Sequence, residues 1–248
     1  MGLRGTFGIE EAAGPQQFLI KFPKKINRVK LLDNRDRNRV NSEIQSGYQE
    51  AFFLTHSSRR RRPQRGGTEH DATAVTFFAL DKLSRRAPLL ILDWDIAQIE
   101  GALLETWLPM VFERLEELSR LCRASNGSVG AWIEDKNSGT ILLQQAIRRQ
   151  WPATAIDSKL TAMGKDERAL PVSGYVYRGS VKYTDHAFNK TTVHKCKSRN
   201  HLSGQIESFR IGDKDNKRED DLLDSFATGS RSRSVITTAS EGSALHIL

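Results

Sequence analysis

The first 47 residues mix Gly, Pro, Lys, Arg, Asp and Asn with no sustained apolar period, so they read as an extension or linker of unknown fold. Apolar residues then come in short runs. Tyr48 to Leu54 (YQEAFFL), Ala72 to Leu80 (ATAVTFFAL) and Leu89 to Trp94 (LLILDW) are rich in β-branched and aromatic side chains and predict strands in the core of a sheet. From Ile96 to Arg123 the period changes: Ile99, Leu103, Leu104, Trp107, Val111, Leu115, Leu118 and Leu121 recur at three- and four-residue spacings and predict a helix, with Pro109 expected to kink or divide it. Val129 to Ile133 predicts a strand, Thr140 to Gln150 a helix, and Ala153 to Ile156 a short strand. Farther on, Lys165 to Leu170 reads as helix, Gly174 to Lys182 as strand or hairpin, and His201 to Phe209 as helix. Arg218 to Phe226 carries Leu222, Leu223 and Phe226 toward a core, and the Ser/Thr/Arg/Gly-rich tail from Ser230 reads as disordered. Strands followed by alternating helices and strands predict an α/β domain with a mixed β-sheet flanked by helices.

Composition narrows the classes. With 248 residues, 38% hydrophobic and 27% charged, the chain suits one sizeable soluble domain plus extensions. No apolar stretch approaches the roughly 20 residues that span a bilayer, and MGLRGTFGIEEAAG lacks a signal-peptide core, so a cytoplasmic protein is expected. Cys122 and Cys196 have no metal-ligand or disulfide-framework spacing and read as free thiols. The net charge of +8 is concentrated in Lys21 to Lys30, Arg35 to Arg39 and Arg59 to Arg62. Such runs serve either as phosphate-neutralising surfaces for nucleic acid or as solvated loops, and both readings stay open.

Two groups of acids stand where chemistry is possible. Glu134 comes directly after VGAWI, so it should emerge at the carboxyl edge of a strand, and Asn137-Ser138-Gly139 leads into the next helix. Glu219, Asp220, Asp221 and Asp224 precede or interleave with apolar residues, and Asp221 and Asp224 share a helical face. Each has a bland alternative: a polar capped loop for the first, a helix N-terminus decorated with acids for the second.

Order and spacing together carry a resemblance. WIEDKNSGTILLQQ (132–145), the segment DSKLTAMGKDERALPVSGYVYRGSVK and the closing Asp220-Asp221-Leu222-Leu223-Asp224 resemble the RNase H-like nuclease domain of tailed-phage terminase large subunits, over roughly residues 48–229. The resemblance implies an RNase H-like mixed sheet flanked by helices and a two-metal endonuclease in the host cytoplasm, cutting concatemeric double-stranded DNA with Mg²⁺ or Mn²⁺. Glu134 and Asp221 would be catalytic metal ligands, Asp220 or Asp224 further ligands, and Lys165 and Arg168 contacts to DNA phosphates. The implied partners are terminase small subunit, portal and a motor ATPase. Asp71, in HDATAVTFFAL, matches the family's second aspartate. The family's first-strand aspartate is missing: AFFL runs into Thr55-His56-Ser57-Ser58, with His56 where the acid belongs. Either His56 ligates, or Asp71 substitutes, or the site is impaired.

No GxxxxGK[ST] phosphate loop occurs, so the chain has no ATPase motif of its own. A resolvase or transposase core, or a non-catalytic DNA-binding remnant, are the alternatives; metal-dependent cleavage separates the last from the enzymes.

Overall fold

The computed structural model describes residues 28–29, 50–57, 72–80, 89–99, 103–136, 138–212 and 219–230, of which 28–29 and 50–57 are described by their backbone. Seven strands form one sheet in the order β1-β7-β4-β3-β2-β5-β6. They are β1 (Arg28–Val29), β2 (Glu50–Ser57), β3 (Ala72–Leu80), β4 (Leu89–Gln98), β5 (Ser128–Ile133), β6 (Ala153–Ala155) and β7 (Val181–Thr184). β3 pairs antiparallel with β2 and β4, and every other neighbouring pair is parallel. β3 therefore runs against all the others, and the carboxyl ends of β2, β4 and β5 share one edge of the sheet.

All nine residues of β3 are buried, which is why ATAVTFFAL is apolar almost throughout rather than alternating. Helix α1 (Leu104–Leu121) and α2 (Ser138–Arg148) pack on one face, where Leu104, Leu108, Leu115, Leu142 and Ala146 meet Val75, Phe77, Leu90 and Leu92. The other face carries α4 (Lys165–Tyr177), α5 (Asp185–Asn189), α6 (His201–Ser208) and α7 (residues 221–230), with α3 (Ser158–Ala162) in the connection before α4. There Val172, Leu202, Ile206, Leu222 and Phe226 cover Ala74, Phe78, Ile91 and Trp94. A small hairpin, β8 (Thr192–His194) and β9 (Lys197–Arg199), turns through Lys195 and Cys196 at positive φ. His201 Nε2 lies 3.0 Å from Thr192 O and 3.1 Å from Lys197 O, holding that hairpin to α6.

Several elements differ from the periodicity. β2 continues to Ser57 and β4 to Gln98, so Ile96 belongs to a strand and Ile99 precedes the helix that was expected to contain both. Pro109 does not divide α1: it sits in the second turn on a half-exposed side, where one missing donor removes one i→i−4 bond while the apolar stripe remains whole. Gly174 to Tyr177 ends α4 instead of opening a strand, because Val172 and Val176 lie one helical turn apart and both reach the core. The strand follows at Val181–Thr184. Of the expected extension, Arg28–Val29 adds a parallel edge strand beside β7, so the sheet reaches into the stretch read as extension or linker; the rest of it, the arginine run and the residues beyond Ser230 lie outside the described residues. Cys122 is buried and free, its thiol pushed up to about 11 by burial, and Cys196 is free and exposed. No helix among the described residues is long and apolar enough to cross a membrane.

Candidate nuclease site

Glu134 leaves the carboxyl end of β5 with only 6% of its surface exposed. A tight turn fixes it. The Lys136 amide donates to Glu134 O at 2.9 Å and the Gly139 amide to Lys136 O at 2.9 Å. A β-carbon at position 139 would lie 1.8 Å from Glu134 O, so only glycine lets the start of α2 come this close to the strand end. Thr140 Oγ1 donates to Asp135 Oδ1 at 2.8 Å, which turns Asp135 toward α2 and leaves Glu134 as the inward acid of the pair.

The second group of acids opens α7. Asp221 and Asp224 are each 3% exposed, and the Asp224 amide donates to Asp220 O at 2.8 Å to close the first turn. Carboxylates here face the positive end of the helix dipole. Three contacts seat the helix on the sheet and on α6. Ser225 Oγ donates to Thr76 Oγ1 of β3 at 3.0 Å, and the Leu223 amide donates to Gln205 Oε1 at 3.0 Å. Gly229 lies so near Phe78 that a β-carbon would approach its ring at 2.6 Å.

Cations meet these acids in pairs. Arg168, buried on α4, donates from Nη2 to Asp224 Oδ1 at 2.9 Å and from Nη1 to Met163 O at 3.0 Å. Lys165 is ion-paired with Asp220 and lies 3.9 Å from Asp224 Oδ2. Lys136 Nζ lies 3.5 Å from Glu134 Oε1 and donates to Thr161 O at 2.8 Å. One network therefore crosses from β5 to α7: Glu134 to Lys136, to Thr161 near the end of α3, along the chain to Met163, to Arg168, to Asp224. Arg168, given by the resemblance as a contact to a DNA phosphate, is a buried partner of an acid, its guanidinium matching a carboxylate and a carbonyl at once.

The structure thus brings Asp220, Asp224, Lys165 and Arg168 into direct contact and joins Glu134 to them through Lys136. Asp221 is buried on the same helix turn. The backbone register Thr55↔Ile133 puts position 56 level with Glu134 on the neighbouring parallel strand, and His56 also pairs with Ala74. Asp71 lies outside the described residues. Among the described residues no group of three or more His, Cys, Asp or Glu is gathered closely enough to hold a metal ion. The donor chemistry nevertheless suits a hard divalent cation: the acids offer carboxylate oxygens, and lysine ammonium groups now supply positive charge beside them.

Sequence reasoning passed over two features. Lys136 is one. The other is Asp93, an acid within LLILDW that is 3% exposed. A bulge shifts the register between Phe77↔Asp93 and Phe78↔Ile91, re-aiming the chain at this point. Arg114 donates from Nε at 2.9 Å, Lys190 donates at 2.8 Å, and His186 Nε2 lies at 3.4 Å. Burial alone would raise the Asp93 pKa, but the His186 bond and the Lys190 and Arg114 charges outweigh it and hold the carboxyl well below the usual range. The signal available was an acid inside the apolar run LLILDW, which has to be paired if that run is buried. Asp93 ties α1 and the segment after α5 to β4.

No protein-family model matches the chain, and no curated protein matches it in sequence. Among solved structures, the human cytomegalovirus terminase nuclease domain is similar with a TM-score of 0.50 at 12% identity, covering 75% of this chain and 83% of that one. The same viral domain, soaked with Mn and bound to an inhibitor, is similar with a TM-score of 0.51 at 10% identity, covering 84% of this chain and 89% of that one. With its seven-stranded mixed sheet of order β1-β7-β4-β3-β2-β5-β6 flanked by helices, the chain has a mixed α/β fold like that of this viral terminase nuclease domain.

Proposed function

We propose that this chain is the nuclease domain of a DNA-packaging terminase from a tailed phage or prophage, a divalent-metal endonuclease that cuts concatemeric double-stranded DNA. The observation that carries this reading is the buried Glu134 at the carboxyl edge of the sheet, linked through Lys136, the chain from Thr161 to Met163 and Arg168 to the buried acids that open α7. Burying several carboxylates in one neighbourhood is costly, and a site that recruits divalent ions recovers that cost through function. The Mn-soaked viral neighbour supports a divalent ion for this fold.

Glu134 and Asp221 would hold the metal, with Asp220 or Asp224 as a further ligand and Asp71 added to the set by the resemblance. When bound, Mg²⁺ or Mn²⁺ supplies activation of water and charge stabilisation on the departing oxygen. The chain's own groups do the rest. Gly139 lets the α2 N-terminus press against the Glu134 turn, where backbone amides favour a phosphate. Arg168 fixes the rotamer of Asp224 and so acts as a positioning residue. Lys165, half-exposed, is free to rotate from Asp220 to a DNA phosphate. With these groups placed, water attacks phosphorus in line and the 3′ or 5′ oxygen departs. By the same reading the working assembly includes a small subunit, a portal and a motor ATPase on another polypeptide segment.

Nicking of supercoiled plasmid in Mn²⁺ and Mg²⁺ tests the proposal. Metal-dependent cleavage that is lost in Glu134→Ala and in Asp221→Ala supports it. DNA binding without cleavage in either metal would instead support a non-catalytic remnant, the reading favoured by histidine at position 56. Cleavage confined to branched DNA would favour a resolvase.

A further inference from the structure

The ion pair between Lys136 and Glu134 has an unusual setting. Glu134 is 8% exposed at its side chain, whereas Lys136 is 48% exposed, so a half-exposed ammonium stands 3.5 Å from a buried carboxylate. The nearby acids are otherwise engaged: Asp135 accepts from Thr140 Oγ1 at 2.8 Å, and Asp157 caps α3 by accepting from the Lys159 amide at 2.8 Å. Among the described residues, Glu134 is the acid with which Lys136 forms an ion pair. A second anchor holds the same ammonium to Thr161 O at 2.8 Å, near the end of α3 and two residues before Met163, whose carbonyl accepts from Arg168.

The geometry points to Lys136 as an exchangeable counter-ion: it neutralises Glu134 while no metal is present, gives up the carboxylate when a divalent ion binds, and stays tethered to Thr161 with its remaining donors turned to the DNA backbone. This rests on the metal reading of Glu134 proposed above. The difference from Arg168 is physical. Arg168 is buried, with guanidinium nitrogens on two fixed acceptors, and cannot leave without stranding Asp224's charge. Lys136 is half in water, its ammonium is a compact point charge on a flexible stem, and at 3.5 Å its pair with Glu134 is loose enough to be broken by a bound cation. Linkage then sets a sign: a cation that must leave before metal enters lowers apparent metal affinity, so removing it raises that affinity.

An exposed lysine–carboxylate pair is worth up to a factor of about five in an equilibrium constant. Calorimetric titration of the metal-free protein with MnCl₂ should therefore show Lys136→Met binding about two- to fivefold more tightly than wild type, with Lys136→Arg close to wild type. In the Glu134→Gln background the Lys136→Met substitution should change nothing, since the charge it competes for is gone. In cleavage assays Lys136→Met should raise KM for plasmid while the metal requirement falls. A lysine that only braces the end of α3 gives a different result: Mn²⁺ affinity in Lys136→Met that is unchanged or weaker, which overturns the counter-ion role while leaving the nuclease reading intact. Absence of Mn²⁺ binding in wild type and variant alike overturns both. Far-ultraviolet circular dichroism and the melting temperature of each variant show that the comparison is between folded proteins.

Discussion

Replacing Arg168 by methionine should be one of the most destabilising single substitutions at the site. The Arg168 and Asp224 side chains are 8% and 4% exposed, with Nη2 and Oδ1 2.9 Å apart. Breaking a buried pair by removing one partner typically costs about 3–5 kcal/mol, because the remaining charge has lost both water and its counter-ion. Two features reduce the cost here. Lys165 Nζ is 3.9 Å from the other Asp224 oxygen, but half-exposed, and returns at most about 1 kcal/mol. The helix dipole at the start of α7 stabilises an acid by roughly 0.3–1 kcal/mol. The net expectation is a loss of about 2–4 kcal/mol, a large part of the roughly 5–15 kcal/mol that folded domains possess. Equilibrium urea unfolding at neutral pH, followed by tryptophan fluorescence, measures it for Arg168→Met, Asp224→Asn and the double variant. The double variant should lose much less than the sum of the single losses, since it strands no charge. A single-variant loss below about 1 kcal/mol, or strict additivity, would show that the pair is effectively solvated and that Arg168 does not position Asp224.

Gly139→Ala forces a β-carbon against Glu134 O and should cost about 1–3 kcal/mol, a fall in melting temperature of several degrees, with weaker Mn²⁺ binding in the same protein. Asp93 has its carboxyl pKa held below the ordinary value, so its contribution is fully present above about pH 4 and is lost as pH falls toward its folded-state value. Asp93→Asn should therefore be clearly less stable than wild type at pH 7, with the gap narrowing in unfolding curves taken below pH 4. The His194 pKa is lowered, chiefly by burial, so folding favours its neutral form: stability should decline as pH drops below about 6.5, and His194→Gln should flatten that decline. His56→Asp places an acid level with Glu134 and should increase both Mn²⁺ affinity and the rate of plasmid nicking; no gain in either would mean that position 56 does not take part in the site.

What could be read from the chain follows from how local each cause is. β3 was legible because a strand buried on both faces must be apolar throughout, and β5 because VGAWI is a short apolar run; Glu134, directly after it, had a polar capped loop as its bland alternative and stood out only in order and spacing with the later acids. The burial of the α7 acids was foreshadowed by their interleaving with Leu222, Leu223 and Phe226, although a helix N-terminus decorated with acids read equally well. The continuation of β4 beyond Trp94 to Gln98 was not legible, since a second acid, Asp95, so soon after Asp93 looks like a break, and Arg114 and Lys190, the cations that pair with Asp93, are distant in sequence. α4 was shortened because Gly174-Tyr175-Val176-Tyr177 has strand-like composition, and tertiary packing of Val172 and Val176 overrode it. The ion pairs of Lys136, Lys165 and Arg168 link the α2 turn and α4 to acids elsewhere, and no periodicity records which acid each will meet.

Diffraction from crystals soaked in MnCl₂, recorded at an energy where manganese scatters anomalously, addresses the proposed chemistry without relying on turnover. Anomalous peaks bounded by the carboxylates of Glu134 and Asp221, with Lys136 turned away from Glu134, are the expected result. Manganese bound only elsewhere on the protein, or no peak while Lys136 still sits against Glu134, would contradict the assignment of these acids as a metal site.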